Sequence, residues 1–147
     1  MSNPVFRYTP LDPPVAGYGG FSAMVDIDGD NDLDGFAGNY DGTISFLRNT
    51  GTATHPAFAA PITNPFGLKD VGSKSVPTFV DIDNDGDFDA FVGNNGGNTR
   101  FFRNEGTANN PVFVAAGINP FGLVDVGFRA SPTFADIDKD GDLDAFI

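Results

Sequence analysis

The sequence predicts an all-β chain built from repeated units of four short antiparallel strands. Three observations point there. The chain repeats itself at a fixed offset of 55 residues. Stretches of about five residues rich in Phe, Val and Thr alternate with turns bearing Gly, Asn and Pro, the pattern of strands joined by tight connections. Fifteen of the 20 acidic residues fall into three nine-residue windows that recur at the same offset.

The repeat is read directly. Asp26-Ile27-Asp28 returns as Asp81-Ile82-Asp83 and as Asp136-Ile137-Asp138. Phe46-Leu47-Arg48-Asn49 returns as Phe101-Phe102-Arg103-Asn104, and Asn64-Pro65-Phe66-Gly67-Leu68 as Asn119-Pro120-Phe121-Gly122-Leu123. More than half of positions 26–80 match positions 81–135. Within one unit the first strand is Pro77–Asp81, which leads into an acidic loop. The second, Phe88–Val92, leaves that loop, and a turn at Gly93–Gly97 follows. The third is Thr99–Arg103, and the turn Asn104–Thr107 leads to the fourth, Pro111–Ala115. Four antiparallel strands at a period near 50 are the pattern of β-propeller blades. The chain is therefore expected to be one partial propeller domain over 1–147. Its units run over approximately 1–20, 21–75, 76–130 and 131–147, under three blades in all. Asn3-Pro4-Val5-Phe6 aligns with Asn110-Pro111-Val112-Phe113, so Pro4–Tyr8 is expected to be a fourth strand.

The acidic windows carry the chemistry. Asp26, Asp28, Asp30, Asp32 and Asp34 form the first, Asp81, Asp83, Asp85, Asp87 and Asp89 the second, and Asp136, Asp138, Asp140, Asp142 and Asp144 the third. Five carboxylates alternating through one turn repel each other unless a cation lies among them. An all-oxygen donor set of this kind suits calcium and not zinc or copper. Side chains at positions 1, 3, 5 and 9 are assigned as ligands, with position 7 giving its backbone carbonyl. Gly86 and Gly141 at position 6 supply a left-handed backbone, and Asn31 holds that place in the first copy. The apolar residues at positions 2 and 8 (Ile27, Ile82, Ile137; Leu33, Phe88, Leu143) are expected to pin each loop to the core. An EF-hand would need Glu at position 12, where this chain has Ala37, Val92 and Ile147. The expectation is up to three calcium ions per chain. The third loop is expected to be the least occupied, because Lys139 stands between Asp138 and Asp140.

The three Asp loops, the Phe66-Gly67 and Phe121-Gly122 pairs and the Arg-Asn-x-Gly-Thr-Ala turns at 48–53 and 103–108 together resemble the FG-GAP/VCBS-type repeats also found in integrin alpha-chain heads. The resemblance implies a propeller with structural calcium on each blade. It names no partner, since such repeats serve adhesion, carbohydrate binding and accessory roles beside enzymes.

Composition excludes several other classes. A formal net charge of -12 gives no basic footprint for nucleic acid and argues against an anionic membrane surface. No apolar run reaches membrane-spanning length, so membrane insertion is not expected. There is no cysteine, and His55 is the only histidine. That leaves nothing from which to build a nucleophilic triad, and the carboxylates repeat with the blade and not with a single cleft. The chain is read as non-catalytic.

The expected role is a calcium-stabilised scaffold or interaction module, extracellular or at the cell surface, although Met1-Ser2-Asn3-Pro4 has no signal-peptide pattern. A carbohydrate-binding, lectin-type propeller is the alternative, with Tyr40 as its contact residue, because the equivalent Asn95 is polar. An accessory domain of a secreted enzyme is a third reading. Under three blades do not close a ring. Either the chain is cut from a longer propeller, or two copies pair head to tail into a homodimer with a ring of about six blades. A glycan or protein ligand would be the further partner.

Overall fold

The computed structural model describes residues 18–147. The expected strand at Pro4–Tyr8 lies outside the described residues. The described chain is all-β. Strands β1 (Tyr18–Val25), β2 (Asp34–Asn39), β3 (Ile44–Leu47) and β4 (Ile62–Thr63) form one antiparallel sheet in the order β1-β2-β3-β4. Strands β5 (Val76–Val80), β6 (Asp89–Gly93), β7 (Thr99–Asn104) and β8 (Phe113–Ile118) form a second sheet in the same way. Strands β9 (Thr133–Ala135) and β10 (Asp144–Phe146) begin a third. A single 3-10 turn, Pro65–Gly67, is the one helical segment among the described residues. These are consecutive propeller blades, two of four strands and one of two.

The outer strand differs between the two full blades. In the second, Phe113 pairs with Asn104 in a ladder that runs to Ile118 with one bulge, at Ala116. In the first, Phe58 makes only an isolated bridge with Asn49, and pairing resumes at Ile62 and Thr63. Pro61 stands where the second blade has Ala116. Ala116 is the bulged residue of the second ladder, so Pro61, which has no N–H, stands where the second blade makes no pair either.

Phenylalanine builds the core and repeats with the blade. Phe36 in β2 packs on Phe46 in β3 with ring centroids 5.0 Å apart, and Phe91 packs on Phe101 at 4.7 Å. The first strand of each following blade adds a third ring. Phe79 lies 4.3 Å from Phe36, and Phe134 lies 4.6 Å from Phe91. Each blade thus covers the face of the one before it, and Phe36 and Phe91 are fully buried.

The seam between blades also fixes the backbone. A Cβ on Gly38 would lie 1.7 Å from the carbonyl oxygen of Ser75, and one on Gly93 2.2 Å from that of Ala130. Only glycine admits such an approach. Across the first seam the Asn39 N–H donates to Ser75 Oγ at 2.9 Å, and the Ser75 hydroxyl donates to the Thr43 carbonyl at 2.6 Å. Ala130 replaces Ser75 at the second seam, leaving a backbone bond from its N–H to the Asn94 carbonyl at 3.0 Å.

Candidate metal-binding loops

Each acidic loop joins the first strand of a blade to the second. The sharp path requires left-handed residues at two places. Position 6 takes positive φ at Asn31 (70°), Gly86 (94°) and Gly141 (97°), as the sequence predicts. Position 4 does so too, at Gly29 (73°), Asn84 (57°) and Lys139 (65°). The Gly-Asn pair at position 4 in the first two copies was the available signal for this second bend. Lysine bears the bend least well, which strains the third loop.

The position 1 carboxylate organises the turn from inside. Asp26 accepts the Gly29 N–H at 2.8 Å and the Asn31 N–H at 3.0 Å. Asp81 accepts the N–H groups of Asp85 and Gly86 at 3.1 and 3.0 Å, and Asp136 those of Lys139 and Gly141 at 2.7 and 3.2 Å. Around it the loop gathers its neighbours. Carboxylate oxygens of Asp26, Asp28 and Asp30 lie within 4.8 Å of one another, and so do those of Asp81, Asp83 and Asp85. In the third loop the gathered set is Asp136, Asp138 and Asp144, so Asp140 stays outside it.

Position 9 opens the second strand and turns inward. Asp34 and Asp89 are buried, and each accepts a backbone N–H through Oδ1, from Asn49 and Asn104 respectively, at 2.7 Å, while the backbone N–H of Ile27 or Ile82 exerts a weaker pull on the same carboxylate. Their Oδ2 atoms are buried without a hydrogen-bond partner, as are Asp28 Oδ1 and the Oδ1 atoms of Asp32 and Asp87 at position 7. Burial pushes the Asp34 carboxyl up to about 6 against the pull of the Asn49 N–H, with Asp28 and Asp30 raising it further. Asp89 is raised, first by burial. Asp32 and Asp87 are raised by burial and then by the other carboxylates of their own loops.

Buried carboxylate oxygens without partners are costly on their own. Several of them beside a gathered set of further carboxylates fit a hard cation bound by oxygen. The residues that would hold it are Asp26, Asp28, Asp30 and Asp34 in the first loop and Asp81, Asp83, Asp85 and Asp89 in the second. In the third they are Asp136, Asp138, Asp140 and Asp144, of which Asp140 lies outside the gathered set.

The expected apolar pins divide. Ile27 at position 2 is buried at 2%, Ile82 is half-buried, and Ile137 is exposed at 64%. Ile27 lies in one core cluster with Ala90, Val92, Phe102 and Phe113 of the second blade. Position 8 does not pin at all. Leu33, Phe88 and Leu143 are exposed, because strand alternation sends position 8 outward once position 9 faces in. Ala37 and Val92, the EF-hand Glu positions, are core residues inside β2 and β6.

Two arginines missed as part of the loops stand against them. Arg48 Nη2 lies 2.5 Å from Asp28 Oδ2 and 3.9 Å from Asp30 Oδ2. Arg103 pairs with Asp83 in the same way. Their 55-residue spacing was the signal. His55 is an exposed turn residue whose Nδ1 is 3.1 Å from the Thr54 hydroxyl. Tyr40 is exposed at 66%, with the Lys74 ammonium 5.9 Å from its ring centroid. No helix among the described residues is long and apolar enough to cross a membrane.

Repeated four-stranded blades with an acidic loop between first and second strands define a class: tandem blade-repeat proteins of the propeller type. The FG-GAP-like repeat model matches this chain twice, over residues 26–92 and 81–147, and the chain belongs to that family. The chain has no match among curated proteins and none among solved structures.

Proposed function

We propose that the chain is a calcium-stabilised, non-catalytic scaffold or interaction module that works outside the cell or at its surface. The observation that carries this reading is the pair of buried, unpartnered Oδ2 atoms of Asp34 and Asp89, each behind a gathered set of carboxylates. Bound calcium supplies the positive charge that lets these groups stay ionised while buried. The chain's own residues do the rest. Asp26, Asp81 and Asp136 shape the turns through their N–H bonds. Asp34 and Asp89 tie each loop to the end of the third strand through Asn49 and Asn104, and the position 7 residues offer backbone carbonyls. Calcium is favoured over magnesium because many carboxylates on a bent loop suit a large, irregular coordination shell. Millimolar extracellular calcium suits weak sites of this kind.

Calorimetry with chelator, then with calcium restored, tests the reading. Calcium at about a hundred times its Kd stabilises by about 2.7 kcal/mol per site, so a clear rise in melting temperature is expected. Equal melting in chelator and in calcium overturns it.

The same reading includes a second copy of this chain as partner, with a homodimer favoured. Its support is the apolar surface left on the second and third blades, where Phe121, Phe128, Val124 and Phe146 are all exposed. Light scattering at micromolar concentration, with and without calcium, decides it, and a monomer in both conditions removes the pairing. The exposure of Tyr40 favours a second reading as a lectin. Glycan-array binding in calcium that disappears in Tyr40→Ala is its test.

A further inference from the structure

We propose that Arg48 and Arg103 are resident counter-cations of the first two acidic loops, so that these arginines give up the position 3 carboxylates when a divalent cation enters. This rests on the cation-binding reading of the loops and adds what holds them together without the cation.

The geometry is repeated and built from the backbone. Arg48 follows directly on β3, and Arg103 is the penultimate residue of β7. The next residue in each case, Asn49 or Asn104, donates its backbone N–H to the position 9 carboxylate at 2.7 Å. The end of the third strand therefore places two groups on the loop: a fixed N–H on position 9 and a guanidinium on position 3. The first sets the site of the second. Asp28 presents Oδ2 to Arg48 and keeps Oδ1 buried without a partner. In the first loop, position 3 is thus half-satisfied by the arginine and half-available.

The two partners differ in how readily they let go. The Arg48 and Arg103 side chains are each 53% exposed, so water takes back either guanidinium at little cost. Asp28 has less freedom, with its side chain only 15% exposed. Two of the three gathered carboxylates lie within reach of Arg48, one of them only at 3.9 Å, and Asp34 makes no ion pair with it. One guanidinium leaves most of the loop's charge unbalanced. A divalent ion among oxygens that lie within 4.8 Å of one another balances more of it from a shorter distance. Among the described residues, Lys139 lies inside the third loop, and no ion pair joins an arginine to that loop.

The exchange has two opposed consequences for one side chain. Arg48 and Arg103 stabilise the cation-free blades and lower the apparent affinity of their loops. The test is the whole 147-residue chain carrying Arg48→Gln and Arg103→Gln together, with Lys69→Gln as a control that removes an exposed positive charge elsewhere. Calcium titration by calorimetry is expected to show about two- to fivefold tighter binding at the first two loops, the range of one exposed ion pair, with a gain that shrinks as salt is added. The same variant in chelator is expected to melt earlier than the unaltered chain. Affinity that is unchanged or weaker in the variant overturns the exchange, and so does a gain matched by Lys69→Gln. Failure of the unaltered chain to bind calcium at all overturns instead the cation reading beneath it.

Discussion

Phe36→Ala is expected to unfold the first blade and with it most of the described core. Phe36 is fully buried, stacks on Phe46 within its own sheet and meets Phe79 from the next blade at 4.3 Å. Removing a buried Phe ring costs about 3–5 kcal/mol, the transfer term plus the cavity left behind. Total stability of a small domain is about 5–15 kcal/mol, so one substitution takes a large share of it. The cavity would open at the seam, where neither sheet can collapse inward without dragging Gly38 away from Ser75. Denaturant melts of Phe36→Ala and Phe36→Leu in saturating calcium check this. The leucine variant is expected to keep most of the stability, and equal losses in the two would mean that ring volume at the seam is not what matters.

The second large effect is a reversal of pH dependence by calcium. In the cation-free chain Asp34 titrates at about 6, well above an unfolded aspartate at about 3.9. The folded state then binds more protons than the unfolded state between these values. Its stability therefore rises as pH falls from neutral through about 6, and levels off near the unfolded value. Asp89, Asp32 and Asp87 are shifted in the same direction and add to the effect. Asp41 has the opposite sign. The Thr43 hydroxyl and N–H hold it below its ordinary range, and its contribution is lost only at more acid pH. With calcium present the ligands must be deprotonated, so acid works against the bound state. Melting temperatures from pH 7.5 to 5 should climb in chelator and fall in calcium. Curves that run in the same direction would show that these carboxylates do not face the cation.

Much of this was legible in sequence because the repeat multiplies every signal. The Asp loops, the strand on either side of each and the Phe positions recur at one spacing, so periodicity reports them without knowledge of contacts. What escaped depends on neighbours that sequence does not order. Leu33 and Phe88 are apolar, yet they face outward, because the inward direction is taken by Asp34 and Asp89. Charge at a strand's first residue ordinarily points to solvent, and here the Asn49 and Asn104 N–H groups hold it inward. The fourth strand of the first blade looked equivalent to that of the second, but its regular pairing is confined to Ile62 and Thr63. Arg48 and Arg103 repeat faithfully, while Arg100, which has no counterpart in the first unit, obscures the pair. The third loop gathers Asp144 in place of Asp140, and its position 4 is a lysine bent to a φ of 65°.

The burial of Ile27 ties the first loop to the second blade. Ile27 lies in one core cluster with Ala90, Val92, Phe102 and Phe113 of that blade, so opening of the seam between the two sheets uncovers it. On the other side of the same loop, Gly29 abuts Asn109 of the second blade. The lifetime of the ordered first loop is therefore set less by its own carboxylates than by how long the neighbouring blade stays shut.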